Sequence, residues 1–213
     1  MLDVVLDMNI LVSVFRSNLG ASYRLLQTLE QGRWRPVISP ALALEYESVL
    51  KRGAGVSGLS APEIDDFIEY LCNRARLVQV YFRWRPLLPD PDDDRILEVA
   101  VRTGSPIVTF NVRDFRGAET PRNSNHEPRR VAGHPRSAEM SVSVNIPEEL
   151  YRRASEIAAA EKMSVDELFA SAFEERLLEL ERLKEKASRG SYEKFRRVMS
   201  KIPAVEPSES DRL

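Results

Sequence analysis

Short runs of branched apolar residues alternate along the first half of this chain with stretches of helical periodicity, and that alternation limits the folds open to it. Leu2 to Leu6 is the first such run, read as apolar on both faces. A strand of that kind must be covered on both sides, as in the parallel sheets of α/β proteins. Val37-Ile38, Leu77 to Tyr81 and Ile107 to Phe110 are the later strand candidates. Between them, Asn9 is placed to cap a helix over Ile10 to Phe15, and Gly20 opens one over Tyr23, Leu26 and Leu29 that stops at Gly32. Ser39-Pro40 starts a third, with Leu42, Tyr46, Val49 and Leu50 as its apolar stripe, and Ser60 to Glu63 has capping-box spacing before a fourth. Asp92 to Asp94 cap a fifth through Ile96, Leu97, Val99 and Ala100, ended by Gly104. The expected fold is α/β, a parallel sheet with crossover helices.

Acidic residues punctuate these elements: Asp7 directly after the first strand, Glu45 on the third helix, Asp92-Asp93-Asp94 at the start of the fifth, and Asp114 beyond the last strand. Taken singly, Asp93 is a helix cap, Glu45 a surface charge and Asp114 a turn residue. Asp7 is harder to dismiss, because an acid at the end of a buried strand is costly unless it is paired or binds a cation. Two acids at strand carboxyl ends and two on helices can converge on one cleft, where open α/β sheets hold their ligands. Carboxylates without His or Cys suit Mg²⁺ or Mn²⁺, the hard cations of phosphoryl chemistry on nucleic acid.

The formal net charge is -2 and hides a mosaic. Residues 1–119 carry 14 basic and 16 acidic side chains, residues 120–139 carry 4 and 2, and residues 140–213 carry 13 and 15. No segment has the basic excess of an obligate nucleic-acid coat, so a nucleic-acid partner must be held by metal and by local patches such as Arg33, Arg35, Arg74, Arg76, Arg83 and Arg85. The lone cysteine, Cys72, has apolar neighbours and reads as a core thiol. No run is long enough to span a membrane and no basic segment precedes the first apolar run, which makes the cytoplasm the expected compartment.

From Arg116 to Glu139 the chain turns polar and Pro-rich, without periodicity, and His126 and His134 within it are read as solvated. A different pattern begins at Met140. Val142, Val144 and Ile146 alternate with Ser141, Ser143 and Asn145; Pro147 opens a helix bearing Leu150, Ala154, Ile157 and Ala158; Ser164 and Glu167 box a longer one through Leu180. After Arg189-Gly190, Tyr192, Phe195, Val198 and Met199 fall at helical spacing.

Four motifs in order, V-V-L-D-M-N-I-L-V-S (Val4 to Ser13), I-S-P-A-L-A-L-E-Y (Ile38 to Tyr46), D-P-D-D-D-R-I-L-E-V-A (Asp90 to Ala100) and V-T-F-N-V-R-D-F (Val108 to Phe115), resemble the PIN-domain ribonucleases, specifically the toxins of bacterial toxin-antitoxin pairs. The resemblance implies endonucleolytic cleavage of RNA with Mg²⁺ or Mn²⁺, the metal-binding acids being Asp7, Glu45 and Asp93. Asp93 is preferred because Ile96 and Ala100 then follow at the family spacing, with Asp94 the alternative. Many members carry Asp where this chain has Asn111, so Asp114 is the fourth carboxylate if there is one. Asn9 and Thr109 match the polar residues that support the site.

The family ends with a further strand and short helix, which residues 116–139 do not resemble. Read one nucleotide later, permitted codons for Arg122 to Met140 can spell G-I-R-I-M-S-P-A-E-W-L-A-T-R-E-A-R-R and a stop, a string that resembles the missing ending. A frameshift joining two genes near residue 121 is therefore expected, and a coding sequence whose shifted frame lacks that string would exclude it. The strand-helix-helix unit resembles the ribbon-helix-helix antitoxins, which implies a homodimer or higher homo-oligomer and operator DNA read by Ser141, Ser143 and Asn145. That face lacks the Arg or Lys often used to read guanine. The expected organisation is a nuclease domain over 1–118, a linker over 119–139, a ribbon-helix-helix module over 140–187 and a tail over 188–213 that wraps the nuclease, with Arg196 or Arg197 entering the acidic cleft. Rival readings are a catalytically dead interaction module, a repressor, and a metal-dependent phosphatase on a similar scaffold.

Overall fold

The computed structural model describes residues 1–53, 58–80, 93–113, 115 and 146–212. Its strands are β1 (Leu2–Leu6), β2 (Trp34–Ile38), β3 (Arg76–Leu77) and β4 (Ile107–Val108), all parallel in the order β3-β2-β1-β4. The α/β expectation holds. β1 is central, and Val5 and Leu6 are fully buried, as a strand covered on both faces requires. β2 begins three residues before the expected Val37. Arg35 stands in register with Asp3 of β1 and bonds it at 2.6 Å, which extends the pairing back to a buried Trp34. β3 and β4 are shorter than expected: β3 pairs Val37 and Ile38 through Arg76 and Leu77, and β4 stops at Val108.

The helices are α1 (Met8–Arg16), α2 (Ala21–Gln27), α3 (Pro40–Arg52), α4 (Ala61–Arg74) and α5 (Asp93–Thr103), with a 3-10 turn over Thr28–Gln31. Ser39 caps α3 by accepting from the Leu42 amide at 3.2 Å. Glu63 closes the capping box of α4, accepting from the Ser60 amide at 2.8 Å. Gly32 and Gly104 end their helical segments at φ 65° in the left-handed region, where a Cβ would be strained. One expectation is corrected here. The cap of α1 is Asp7, not Asn9, because the carboxylate accepts from the Asn9 amide.

Two compact units are present, Met1–Glu119 with Leu178–Leu213, and Thr120–Leu177. The first joins both ends of the chain, and the division between the units falls inside α7 (Val165–Ser188). Leu183 and Ala187 near its end are buried with the core of the first unit, and so are Phe195, Val198 and Met199 of α8 (Tyr192–Met199) and Ile202 after it. Phe195 stacks on Tyr70 at 4.4 Å and on Phe67 at 5.7 Å, both on α4. Burying such side chains stabilises by roughly 1.5–3 kcal/mol each. Gly190 makes the approach to α4 possible, since a Cβ there would lie 2.5 Å from Asn73 Cβ and 2.6 Å from the Glu69 carbonyl oxygen.

Polar contacts fix the register of this C-terminal strap. Lys186 meets Glu47 at 2.5 Å, Arg189 meets Glu69 at 2.6 Å, Lys194 meets Asp66 at 2.8 Å, and Lys201 pairs with Glu63. Asn18 donates its amide and its side-chain nitrogen to the carbonyls of Pro203 and Ile202, each at 3.0 Å. Buried Asp211 accepts from the Ser22 amide at 2.8 Å, beside a Gly20 whose missing Cβ would lie 1.9 Å from the carboxylate.

In the second unit, α6 (Glu148–Glu161) follows Pro147, and the Ser164–Glu167 box opens α7. Ala154 and Ala158 are buried, whereas Leu150 and Ile157, expected on the same apolar stripe, are exposed, as are Phe173 and Leu177. Ser141, Ser143 and Asn145 lie outside the described residues, as do His126 and His134. Cys72 is buried in the core as expected, and that burial pushes its thiol pKa up to about 12. Among the described residues no helix is long and apolar enough to cross a membrane.

Candidate active site

Parallel pairing of β1 with β4 brings Asp7 and Thr109 side by side at the carboxyl ends of the two strands, with the Asp7 amide bonded to the Val108 carbonyl at 2.9 Å. Asp7 is 5 % exposed. Its Oδ2 accepts from Asn9 Nδ2 at 2.6 Å and from the Thr109 hydroxyl. Asn9 Nδ2 also donates to Thr109 Oγ1 at 3.1 Å, and Asn9 Oδ1 accepts from the Phe110 amide at 3.4 Å. Thr109 Oγ1 further accepts from the Asn111 amide at 2.8 Å. This ring of bonds ties the first helix to the exit of β4 and leaves the carboxylate one orientation, the arrangement that supports a ligating acid.

Glu45 approaches from α3, where Ser39 and Pro40 set the helix start. Its neighbour Tyr46 is fully buried and donates its hydroxyl to the Leu6 carbonyl, which locks α3 against the end of β1. Burial, then the negative charge of Asp7, then that of Glu45 push the Tyr46 hydroxyl well above its ordinary value. Arg95 of α5 donates to Glu45 Oε2 at 2.9 Å and places a positive charge beside that carboxylate.

Asp93 is the first residue of α5, but its side chain lies outside the described residues, and so does Asp114. The alternative, Asp94, is 1 % exposed, and Glu98 one turn later is 7 % exposed. Sequence reasoning passed over Glu98; its spacing of four from Asp94 on an amphipathic helix was the available signal. Asn111 is exposed, and its amide donates to Thr109 Oγ1. Among the described residues no cluster of three His, Cys, Asp or Glu is assembled. Asp7 and Glu45 offer oxygen atoms alone, which suit a hard divalent cation better than a soft one, and Glu45 is paired with Arg95.

Several basic residues expected to engage nucleic acid are otherwise engaged. Arg35 and Arg76 both bond Asp3, at 2.6 and 2.8 Å, and Arg74 reaches Glu30 at 3.3 Å. The Arg35 bond foremost, with Arg76 adding to it against the effect of burial, lowers the pKa of the Asp3 carboxyl. Arg83 and Arg85 lie outside the described residues. Arg196 and Arg197, expected in the acidic cleft, are instead exposed on α8, because Phe195, Val198 and Met199 take the buried face of that helix.

The sequence matches the PIN domain family over residues 3–113, from β1 to just beyond β4. No curated protein and no solved structure matches the chain.

Proposed function

Because the chain belongs to the PIN-domain family, whose members are generally metal-dependent nucleases, we propose that it is an endoribonuclease of the toxin class that carries its own antitoxin-like segment. The observation that supports this best is the buried Asp7, held by Asn9 and Thr109 at the carboxyl end of β1, with Glu45 on the helix that Tyr46 ties to the end of that same strand.

Asp7 and Glu45 would hold Mg²⁺ or Mn²⁺, with Asp93 and Asp114 as the further acids that the family resemblance implies. A divalent cation there supplies charge for the scissile phosphate and lowers the pKa of a bound water. The chain's own residues prepare that chemistry. Asn9 and Thr109 fix the Asp7 carboxylate, and Tyr46, midway along α3, fixes that helix against the end of β1 so that Glu45 is carried on a rigid element. Arg95 balances Glu45 before a cation or a phosphate arrives.

The antitoxin-like part is the strap from residue 178 onward together with α6 and the first half of α7. Its ion pairs with Glu47, Glu63, Asp66 and Glu69 support a segment built to hold this nuclease. A dimer formed through the 140–177 region and operator binding by Ser141, Ser143 and Asn145 complete the reading.

Full-length protein incubated with a mixed RNA pool and Mn²⁺, beside an Asp7→Asn variant, tests it. Internal cleavage that requires Mn²⁺ and disappears in the variant is expected. Equal cleavage by both proteins, or hydrolysis of small phosphate esters in place of RNA, would refute it. The full chain is the right reagent, because a 1–121 fragment would expose the face of α4 that Phe195 covers.

A further inference from the structure

The strap's cations divide into two sets. Lys186, Arg189, Lys194 and Lys201 each meet a carboxylate of α3 or α4. Arg196 and Arg197 meet none among the described residues, and both are exposed. They line two clefts of about 360 and 320 Å³ that share Tyr192, Arg196 and Ser200, the first adding Arg197 and Glu193 and the second running to Tyr23, Gln27 and Glu30 of the nuclease. Tyr192 is 45 % exposed, and its ring leans on Tyr70 at a centroid distance of 5.8 Å. Tyr70 itself is buried with a hydroxyl that has no hydrogen-bond partner among the described residues. Of the two acids at the rim, Glu30 is already met by Arg74, and Glu193 sits in the first turn of α8, where the helix dipole offsets it.

We infer that this groove between α2 and α8 is a docking site for single-stranded RNA, separate from the carboxylates of the active site. Two unpaired guanidinium groups beside an exposed ring braced from behind are what a nucleotide segment requires: phosphates against Arg196 and Arg197, a base on Tyr192. An acidic peptide would use the cations but not the ring. The site rests on the ribonuclease reading for its choice of RNA, and it exists only when the strap is seated, so the segment that restrains the nuclease also supplies part of its hold on the substrate.

Anisotropy of a labelled oligouridylate of about 12 nucleotides, with the full chain in EDTA so that nothing is cut, decides the matter. Replacing both arginines (Arg196→Ala with Arg197→Ala) should weaken binding tenfold or more and reduce the log-log salt slope by about 1.4, roughly 0.7 for each phosphate no longer neutralised. Tyr192→Ala should weaken binding about fivefold with the slope unchanged. Arg212→Ala, whose guanidinium pairs with Glu206, should change neither. The arginine pair does not touch the α4 acids, so the double variant should melt with the wild type. Unchanged affinity or slope in the double variant overturns the groove, as does tighter binding of polyglutamate than of RNA. Mn²⁺-dependent cleavage by the wild type, measured separately, keeps the two ideas apart: a cleaving enzyme whose double variant binds RNA normally loses the groove and keeps the nuclease.

Discussion

Truncation of one phenylalanine tests whether the C-terminal strap belongs to the nuclease core. Phe195 is 4 % exposed and packs between Tyr70 and Phe67 at 4.4 and 5.7 Å, with Val198, Met199 and Ile202 buried beside it. Phe195→Ala removes the ring and leaves a cavity that α4 cannot close, because Gly190 already holds the strap against its backbone. The expected loss is about 3–5 kcal/mol. For a protein of this size that corresponds to a fall in melting temperature of roughly 6–20 °C, at about 2–4 °C per kcal/mol. Phe173→Ala is the matched control: the same chemical change at a side chain 55 % exposed, expected within about 0.5 kcal/mol of wild type. Urea titration followed by circular dichroism gives both numbers, and trypsin digestion should cut the Phe195 variant first between Arg189 and Lys201. A loss below about 1 kcal/mol for Phe195→Ala, or equal losses for the two variants, would refute the packing argument.

Three further outcomes follow from the geometry. Asn9→Ala and Thr109→Val, which free Asp7 without touching its charge, should each lower RNA cleavage about 10- to 100-fold, the scale seen when a group that orients a metal ligand is removed, with the Mn²⁺ requirement raised in a titration. The pKa of Glu63 is held at about 2, foremost by its bond from Lys201, and that of Glu47 at about 2 by Lys186 and Lys51 against the opposing effect of burial. Both folded values lie below the ordinary 4.5, so their stabilising effect is complete above about pH 4.5 and is lost as the pH falls toward 2; protease sensitivity of the strap should rise in that window, and Glu63→Gln with Glu47→Gln should flatten the rise. Gly20→Ala drives a Cβ into Asp211 and should release residues 208–212, seen as faster amide exchange there, and adding Asp211→Ala should relieve the strain at Gly20 without restoring the anchor.

Local signals in the sequence carried the elements well and their partners poorly. Val4 to Leu6 declared a strand covered on both faces, and Ser39 and Ser60 marked helix starts, because caps and periodicity act within a few residues. Asn9 misled for the same reason. It has the chemistry of a cap, but Asp7 stands two residues earlier and a carboxylate holds the amide instead. Trp34 and Arg35 joined β2 through a pairing with Asp3 that no local pattern announces. The spacing of Phe195, Val198 and Met199 identified the buried face of α8, yet nothing in that spacing says the receiving surface is α4 and α2 rather than the acidic cleft. Around the candidate acids, the pairing of Arg95 on α5 with Glu45 on α3 joins two helices and came only from the structure.

The union of the chain's first and last residues in one core also sets an order of events during synthesis. Phe67 and Tyr70 are made long before Phe195, and residues 71–195 must be added before their cover exists. At the usual 5–20 residues per second that interval lasts about 6–25 s, during which the α4 surface waits on the ribosome for a segment not yet translated. The core of the first unit therefore closes only after the strap has been made, and the α4 face is never covered before the chain is nearly complete.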